Sequence, residues 1–202
     1  MIAVIDYKAG NLTSVVKALR YLGAETQVTQ DAEVVRTASK IVLPGVGHFR
    51  ATKLLQELGI TEAVREAVKS GAEFLGVCVG LQWLFEGSTE APEMRGLGHF
   101  AGQCDRFPAV YEGAELKSPH VGWNSLDTVR EGSRLLRGVA PGGFVYYTHS
   151  WRAPMVHATA SVTHYGGAFS GVMEQENVMG VQFHPEKSAE VGLRVLRNFV
   201  EL

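Results

Sequence analysis

Cysteine is scarce in this sequence, since Cys78 and Cys104 are the only two among 202 residues. Their separation fits neither a metal-binding nor a redox motif, and a reducing compartment would keep both thiols free. Histidines and carboxylates show no spacing typical of metal ligands, apart from one histidine and glutamate pair described below. We therefore expect no disulfide, no metal ion and no cofactor.

An excess of charge of either sign is also absent. The sequence has 19 Lys and Arg residues against 21 Asp and Glu residues, and the basic residues form no run. A protein that holds phosphate backbones needs a basic surface, so we expect no nucleic-acid partner.

Long hydrophobic runs are missing as well. No stretch approaches the roughly 18 consecutive apolar residues of a membrane span, and no positive segment precedes the first apolar run. We expect no membrane association and no secretion signal, and we predict a soluble, cytoplasmic protein.

The sequence does contain ample material for a hydrophobic core. Hydrophobic residues make up 46% of the chain and charged residues 20%, a balance typical of globular proteins. No repeat, low-complexity tract or linker is visible, and the length suits one compact unit. We expect a single domain over residues 1–202.

The first part of the chain alternates short apolar runs with segments of helical period, which is typical of parallel strands joined by crossover helices. Asn11 is placed to cap the first helix, and Gly23 to end it. Further helices are predicted over Phe49–Leu58 and Thr61–Ser70. The predicted strands are Ile2–Asp6, Thr26–Thr29, Ile41–Leu43 and Phe74–Val77. Because these strands are continuously apolar, we expect an open, mostly parallel sheet with helices on both faces.

Beyond Gly87 the pattern changes to short alternating runs broken by Gly and Pro, which favours antiparallel strands. These strands are predicted over Gln103–Phe107, Ser125–Val129, Phe144–Tyr147, Ala158–Thr163 and Ala168–Met173. Val178–Phe183 is expected to return to the central sheet, and an apolar stripe that begins at Val191 predicts a closing helix. The predicted fold is therefore α/β, with additional antiparallel strands in the second half.

The strongest chemical motif is Gly76-Val77-Cys78-Val79-Gly80, at the junction of a predicted strand and a predicted helix. A sharp turn there would expose the Cys78 side chain, and glycines two places on either side would remove clashing side chains. The helix N-terminus would also favour the thiolate. The motif thus predicts a nucleophile, although a buried structural cysteine is the alternative interpretation.

A histidine and a carboxylate follow the last predicted strand in Phe183-His184-Pro185-Glu186. Pro185 favours an extended backbone at His184, and residues two apart in an extended chain point to the same side. His184 could then take a thiol proton while Glu186 fixes its tautomer. A strand-end histidine paired with a surface carboxylate is the alternative interpretation.

A third motif, Pro44-Gly45-Val46-Gly47, ends another predicted strand, where open α/β sheets place their binding crevices. A backbone N–H at Val46 or Gly47, together with that of Val79, would form an oxyanion hole. An ordinary tight turn is the alternative interpretation.

These three motifs together resemble, in order and spacing over the whole chain, the class I or triad-type glutamine amidotransferases. More narrowly, three strings look like those of glutaminase subunits of imidazole glycerol phosphate synthases, which serve histidine biosynthesis. The strings are Asp6-Tyr7-Lys8-Ala9-Gly10-Asn11, Pro119-His120-Val121-Gly122-Trp123-Asn124 and His184-Pro185-Glu186-Lys187-Ser188.

The resemblance implies that Cys78 attacks the side-chain amide of glutamine, that His184 transfers protons and that Glu186 orients His184. The products are glutamate and ammonia. The resemblance also implies that glutamine is held by Gly45, Gln82, Ser150 and Trp151. The chain departs from the family in having Trp151 where tyrosine is usual and Val79 where leucine is common.

The resemblance further implies a partner, because free ammonia would be lost to solvent. This partner is a (β/α)8 barrel cyclase subunit, bound as a heterodimer, which uses the ammonia to make imidazole glycerol phosphate and aminoimidazole carboxamide ribotide. The residues expected at the partner interface or ammonia gate are Asn11, His120, Trp123, Tyr146 and Lys187.

Two other functions remain open at this point. The glutaminase subunit of pyridoxal phosphate synthase is similarly small and uses the same triad, but the strings around Asp6 and His120 disfavour it. A catalytically silent α/β protein with Cys78 as a redox sensor is the second, although such a sensor has no need of the His184 and Glu186 pair.

Overall fold

The computed structural model describes residues 1–9 and 12–202, and the predicted cap Asn11 therefore lies outside the described residues. The helices are α1 (Leu12–Tyr21), α2 (Ala32–Thr37), α3 (Lys53–Glu57), α4 (Ile60–Lys69), α5 (Val79–Trp83) and α6 (Ala189–Glu201). Short 3₁₀ turns cover Phe49–Thr52 and Pro185–Lys187. No helix of the described residues is long and apolar enough to cross a membrane.

Fourteen strands are assigned in the described residues. They are β1 (Ile2–Ile5), β2 (Thr26–Thr29), β3 (Lys40–Gly45), β4 (Glu73–Cys78), β5 (Phe85–Ser88), β6 (Phe100–Arg106), β7 (Val110–Tyr111), β8 (Ala114–Glu115), β9 (His120–Leu126), β10 (Gly143–His149), β11 (Trp151–Arg152), β12 (Thr159–His164), β13 (Ala168–Gln175) and β14 (Val178–Val181).

The main sheet of the described residues has seven strands in the order β12-β13-β14-β4-β3-β1-β2. The five strands from β14 to β2 are parallel to their neighbours, and β12 and β13 extend the sheet in antiparallel pairing. The sheet therefore confirms the predicted mixed α/β class and the predicted return of the chain to the sheet at Val178. The central strands are buried on both faces, as their continuous apolar runs predict.

Several predicted elements are confirmed with shifted ends, one helix was missed, and one strand was predicted at the wrong place. Helix α2 was not predicted, because six residues give too short a pattern to show helical period. The strand predicted over Ser125–Val129 instead runs over His120–Leu126. Its inward-facing positions include His120, Gly122 and Asn124 rather than apolar residues, which conceals the alternation.

Outside the main sheet, β9 and β10 form a two-stranded antiparallel ribbon in which Trp123 pairs with Tyr146 and His120 with His149. One face of this ribbon packs inward, and the other carries exposed apolar side chains. The ends of β3 and β4 lie side by side, with Gly45 opposite Cys78, which brings two of the predicted motifs together at one edge of the sheet.

Candidate active site

Cys78 occupies a strained turn between strand β4 and helix α5. Its backbone has φ of 55° and ψ of −106°, a conformation that side-chain-bearing residues rarely adopt. A Cβ at Gly76 would lie 2.4 Å from the carbonyl oxygen of Gly80, and one at Gly80 would lie 2.0 Å from that of Leu43. The flanking glycines are therefore required by close backbone approach, as the motif predicts.

His184 and Glu186 form a buried pair after the end of strand β14. The His184 Nδ1 atom lies 3.1 Å from Oε1 of Glu186. The sequence analysis attributed this pairing to an extended backbone, which is only partly correct. The backbone is extended at His184 but turns into a 3₁₀ helix at Pro185. Hydrogen bonds from the His184 N–H to the Tyr146 carbonyl and from the Ser188 hydroxyl to the His184 carbonyl fix this turn.

The pKa of His184 reflects opposing effects. Burial lowers the pKa of the imidazole, but interactions with Cys78 and with Glu186 outweigh it and raise the pKa to about 10. Among the described residues, Nε2 of His184 has no hydrogen-bond partner. This nitrogen is therefore available to the thiol and to a substrate, and catalytic hydrogen bonds of this kind often tighten only when substrate binds.

Gln182 is a further polar group beside the thiol, and sequence reasoning missed it. Its Nε2 atom lies 3.8 Å from the Cys78 Sγ atom, and its Oε1 accepts a hydrogen bond from the Ala153 N–H. The carboxamide is fully buried, so it offers a fixed donor to a thiolate. Its position at the end of the last central strand is the signal that could have identified it.

The Gly45-Val46-Gly47 segment continues strand β3 alongside the elbow. A Cβ at Gly45 would lie 2.4 Å from the Tyr7 hydroxyl and 2.8 Å from the Val79 Cβ, so Gly45 permits close packing. Gly47 has φ of 92° with open space around it. Gly47 lines the cavity at Cys78, whereas Gly45 and Val46 do not. Gly45 therefore has a steric role beside the elbow, and its contact with substrate stays a prediction.

The cavity at Cys78 has a volume of about 200 Å³. This equals the liquid volume of about seven water molecules, which suits a ligand of amino-acid size. Besides Cys78, its lining includes five of the predicted residues, namely Gly47, Val79, Gln82, Ser150 and Trp151. Larger clefts lie beside helix α6, around Arg134, beside helix α1 and around His99, but none of these four is lined by a cysteine.

Glu90 also lines this cavity, and sequence reasoning missed it. Its Oε2 atom accepts a hydrogen bond of 2.7 Å from the Phe49 N–H. A loop glutamate carries no distinguishing sequence signal, because only the fold brings it to the cavity that Cys78 lines. Two other lining residues are joined by a 2.8 Å hydrogen bond from Gln82 Nε2 to the Trp151 carbonyl.

The outer face of the β9–β10 ribbon is apolar and exposed. Trp123 is 52% exposed, and its ring lies edge-on to the ring of Tyr146. The Lys187 Nζ atom lies 6.0 Å from the centroid of the Tyr146 ring. His120, in contrast, is 4% exposed and points to the inner face. Its side chain is therefore not part of the exposed apolar face, because residues three apart on a strand face opposite sides, and its role at the partner interface or ammonia gate stays a prediction.

No group of three or more His, Cys, Asp or Glu side chains that could hold a metal ion occurs in residues 1–9 and 12–202. The Cys78 thiol lies together with the His184 and Glu186 pair in this site. Such a set supports nucleophilic attack on a carbonyl carbon.

Comparison with known proteins agrees with this chemistry. A family model described as "Glutamine amidotransferase class-I" matches residues 3–202. The chain belongs to the class-I glutamine amidotransferase family, which confirms the class predicted from the motifs.

Within this family, the chain is similar to curated proteins named imidazole glycerol phosphate synthase subunit HisH. The relative from Caldanaerobacter subterraneus subsp. tengcongensis is 40% identical over 100% of this chain and 98% of its own length. The relative from Syntrophotalea carbinolica is 43% identical over 100% of both chains. The relative from Methanothermobacter thermautotrophicus is 42% identical over 100% of this chain and 98% of its own length.

Solved structures share the fold at lower identity. A crystal structure of a glutamine amidotransferase superposes with a TM-score of 0.75, 19% identity and coverage of 100% of both chains. The structure of PurLQS from Thermotoga maritima gives a TM-score of 0.73, 17% identity and coverage of 99% of this chain and 97% of that chain.

Proposed function

We propose that this chain is the glutaminase subunit of an imidazole glycerol phosphate synthase and hydrolyses glutamine with Cys78, His184 and Glu186. The observation that carries the proposal is the His184 and Glu186 pair beside a thiol at a strained turn, in a chain 40–43% identical over its full length to synthase subunits. This similarity favours the synthase subunit over the glutaminase of pyridoxal phosphate synthase. The catalytic pair disfavours a redox sensor.

The first half-reaction forms a thioester. The Cys78 thiolate attacks the amide carbon of glutamine, and the carbonyl oxygen becomes an oxyanion that accepts hydrogen bonds from the Val79 N–H and from Val46 or Gly47. The His184 imidazolium then gives its proton to the amide nitrogen. The C–N bond breaks, ammonia leaves, and the acyl group remains on sulfur.

The second half-reaction hydrolyses the thioester. Neutral His184 takes a proton from water, and the resulting hydroxide attacks the same carbon through the same oxyanion site. The C–S bond breaks, glutamate leaves, and the thiolate and imidazolium are restored. Glu186 keeps the proton of His184 on Nδ1 throughout, so that Nε2 remains the nitrogen that exchanges protons.

The cavity walls suit the amino-acid end of glutamine. The Glu90 carboxylate complements the α-ammonium group, and backbone N–H groups at Ser150 and Trp151 complement the α-carboxylate. Gln82 supports this wall through its hydrogen bond to the Trp151 carbonyl. Binding of both charged groups would select a free amino acid over a peptide.

The ammonia passes to a partner subunit that we propose to be a (β/α)8 barrel cyclase, bound as a heterodimer. The exposed apolar face around Trp123 and Tyr146 supports this docking site. Tyr146 joins the face to the catalytic centre, because its carbonyl accepts a hydrogen bond from the His184 N–H. Ammonia then supplies the ring nitrogen of imidazole glycerol phosphate.

The test is a glutamate-release assay of the chain purified with the cyclase, with Cys78→Ala as the matched variant. We expect glutamine hydrolysis and product formation by the wild-type pair, and neither with glutamine for the variant. Ammonia added to the variant pair should restore product formation. Hydrolysis by the Cys78→Ala pair at the wild-type rate would contradict the proposal.

A further inference from the structure

A continuous row of polar side chains crosses the inner face of the β9–β10 ribbon and ends at the cavity wall. Asn124 Nδ2 lies 3.3 Å from Nε2 of His120. His120 Nδ1 lies 3.2 Å from Nε2 of His149. His149 Nδ1 lies 2.8 Å from the carbonyl oxygen of Trp151.

The contacts of this row permit one arrangement of protons when both rings are neutral. A carbonyl oxygen only accepts, so the proton of His149 lies on Nδ1 and its Nε2 must accept. His120 therefore donates from Nδ1 and accepts at Nε2. Asn124 supplies that last donor, since its Oδ1 accepts the Ser125 N–H and its Nδ2 also donates to the His164 carbonyl.

Both rings are held neutral by their surroundings. Burial lowers the pKa of His120 to about 4, and burial is the largest of the effects that lower the pKa of His149 to about 3. The His120 ring is stacked between the rings of Tyr165 and Tyr147. The distance between ring centroids is 4.0 Å to Tyr165 and 4.9 Å to Tyr147. These stacks fix the plane of the ring and therefore the direction of its two nitrogens.

At the end of the row, the Trp151 carbonyl links two parts of the cavity wall. The Trp151 carbonyl accepts hydrogen bonds from His149 on the ribbon and from Gln82 on the elbow helix, each 2.8 Å long. Ser150, Trp151 and His149 all line the cavity. The opposite face of the same ribbon carries Trp123 and Tyr146, and the row thus lies directly beneath the exposed apolar face.

We propose that Asn124, His120 and His149 are positioning residues, a proton-ordered chain that fixes the Trp151 carbonyl and thereby the cavity wall from beneath the partner-docking face. The proposal rests on the proposed function for its kinetic consequence, but the proton arrangement is independent of it. If this row of hydrogen bonds fixes the position of the cavity wall, its loss should weaken glutamine binding more than it lowers the rate of the chemical step.

The first test is ¹⁵N NMR of the histidine rings in the chain bound to its partner at neutral pH. We expect His120 and His149 to be neutral and to carry their protons on Nδ1. A protonated ring, or a proton on Nε2 of either, would overturn the proposal whether or not glutamine is hydrolysed.

The second test compares His149→Leu with His149→Asn, because the asparagine side-chain nitrogen can occupy the place of Nδ1 and donate to Trp151. We expect KM for glutamine to rise about tenfold in His149→Leu, the effect of losing a buried hydrogen bond, with kcat changed less than threefold. His149→Asn should recover most of that loss. Equal KM values for His149→Leu and wild type, or equal losses in both variants, would overturn the proposal.

The third test separates the hydrogen bonds from the aromatic packing. His120→Phe keeps the stack between Tyr147 and Tyr165 but removes both hydrogen bonds, and we expect KM to rise about threefold or more. Tyr165→Phe keeps the stack and loses only a hydrogen bond to the Lys117 carbonyl, so KM should not change. Unchanged KM in His120→Phe would overturn the proposal. Absence of glutaminase activity in the wild-type complex would instead reject the proposed function.

Discussion

Nδ1 of His184 lies 3.1 Å from Oε1 of Glu186, and both side chains are almost completely buried. A carboxylate so placed holds the imidazole proton on Nδ1 and stabilises the ring when it becomes positively charged. It also directs Nε2 to the buried space beside Cys78. One short contact between residues two apart in sequence therefore decides which nitrogen exchanges protons.

This contact predicts unequal effects of removing its two members. His184→Ala removes the proton carrier itself, whereas Glu186→Gln leaves the ring in place and disturbs only its tautomer and charge. By the pattern of other triads, we expect Glu186→Gln to retain about 100 times more glutaminase activity than His184→Ala. Steady-state kcat of both variants in the complex measures this. Equal losses would show that Glu186 does more than orient His184.

The raised pKa of His184 predicts how folding stability depends on pH. Its value of about 10 in the folded chain exceeds the ordinary 6.5, so its contribution is complete below about pH 6.5. The contribution is then lost as the pH rises towards 10. We expect the free energy of unfolding to decrease over this window.

Cys78→Ala provides the control for this prediction, because Cys78 is one of the groups that raise the pKa of His184. The decrease in the free energy of unfolding with rising pH should be smaller in Cys78→Ala than in the wild type. NMR titration should also find a lower His184 pKa in the variant. Denaturant unfolding at several pH values measures the first effect. Identical pH profiles for the two proteins would contradict the assignment.

Trp123 is predicted to be an energetic centre of the partner interface. It is exposed in the middle of the apolar ribbon face, and buried tryptophans are often the largest contributors to protein binding. Trp123→Ala should weaken cyclase binding by about 2 kcal/mol, or about thirtyfold in Kd. Tyr21→Ala is the matched control, since Tyr21 is 77% exposed on helix α1, outside the ribbon. Calorimetric titration should show no change for Tyr21→Ala, and equal weakening by both would contradict the location.

The chain by itself is predicted to be a poor glutaminase. The glycines on either side of Val46 make a peptide rotation accessible, and loss of one oxyanion donor lowers the rate about 100 to 1,000-fold. Partner and cyclase ligand would activate the site by binding the complete arrangement more tightly. Glutaminase assays of the isolated chain, the complex and the ligand-loaded complex should show successive increases. Full activity of the isolated chain would contradict this switch while leaving the triad intact.

The parts of the site that could be predicted from sequence are those set by local geometry. The spacing of Gly76 and Gly80 around Cys78 indicates that larger side chains would clash at both positions. The structure shows the backbone atoms that such side chains would meet. The pairing of His184 with Glu186 was also predictable, although a 3₁₀ turn rather than an extended strand brings it about. Parallel strands with buried faces gave the clearest pattern, so the fold class was correct.

The rest depends on contacts between distant segments. Glu90 and Gln182 reach the cavity only because the fold brings their segments next to Cys78. His120 was predicted at the partner interface or ammonia gate because it matches a family position there, and only the register of β9 shows that its side chain lies on the inner face of the ribbon. A shift of one residue on a strand exchanges the two faces, and no local pattern set this register.

Transfer of the amide nitrogen tests the central claim most directly. The complex would be supplied with glutamine carrying ¹⁵N in its side-chain amide, with unlabelled ammonium in the buffer, and the product analysed by mass spectrometry. We predict that imidazole glycerol phosphate from the wild-type complex contains ¹⁵N, and that product from the Cys78→Ser complex contains only nitrogen from the buffer. Unlabelled product from the wild-type complex, or labelled product from Cys78→Ser, would contradict the account.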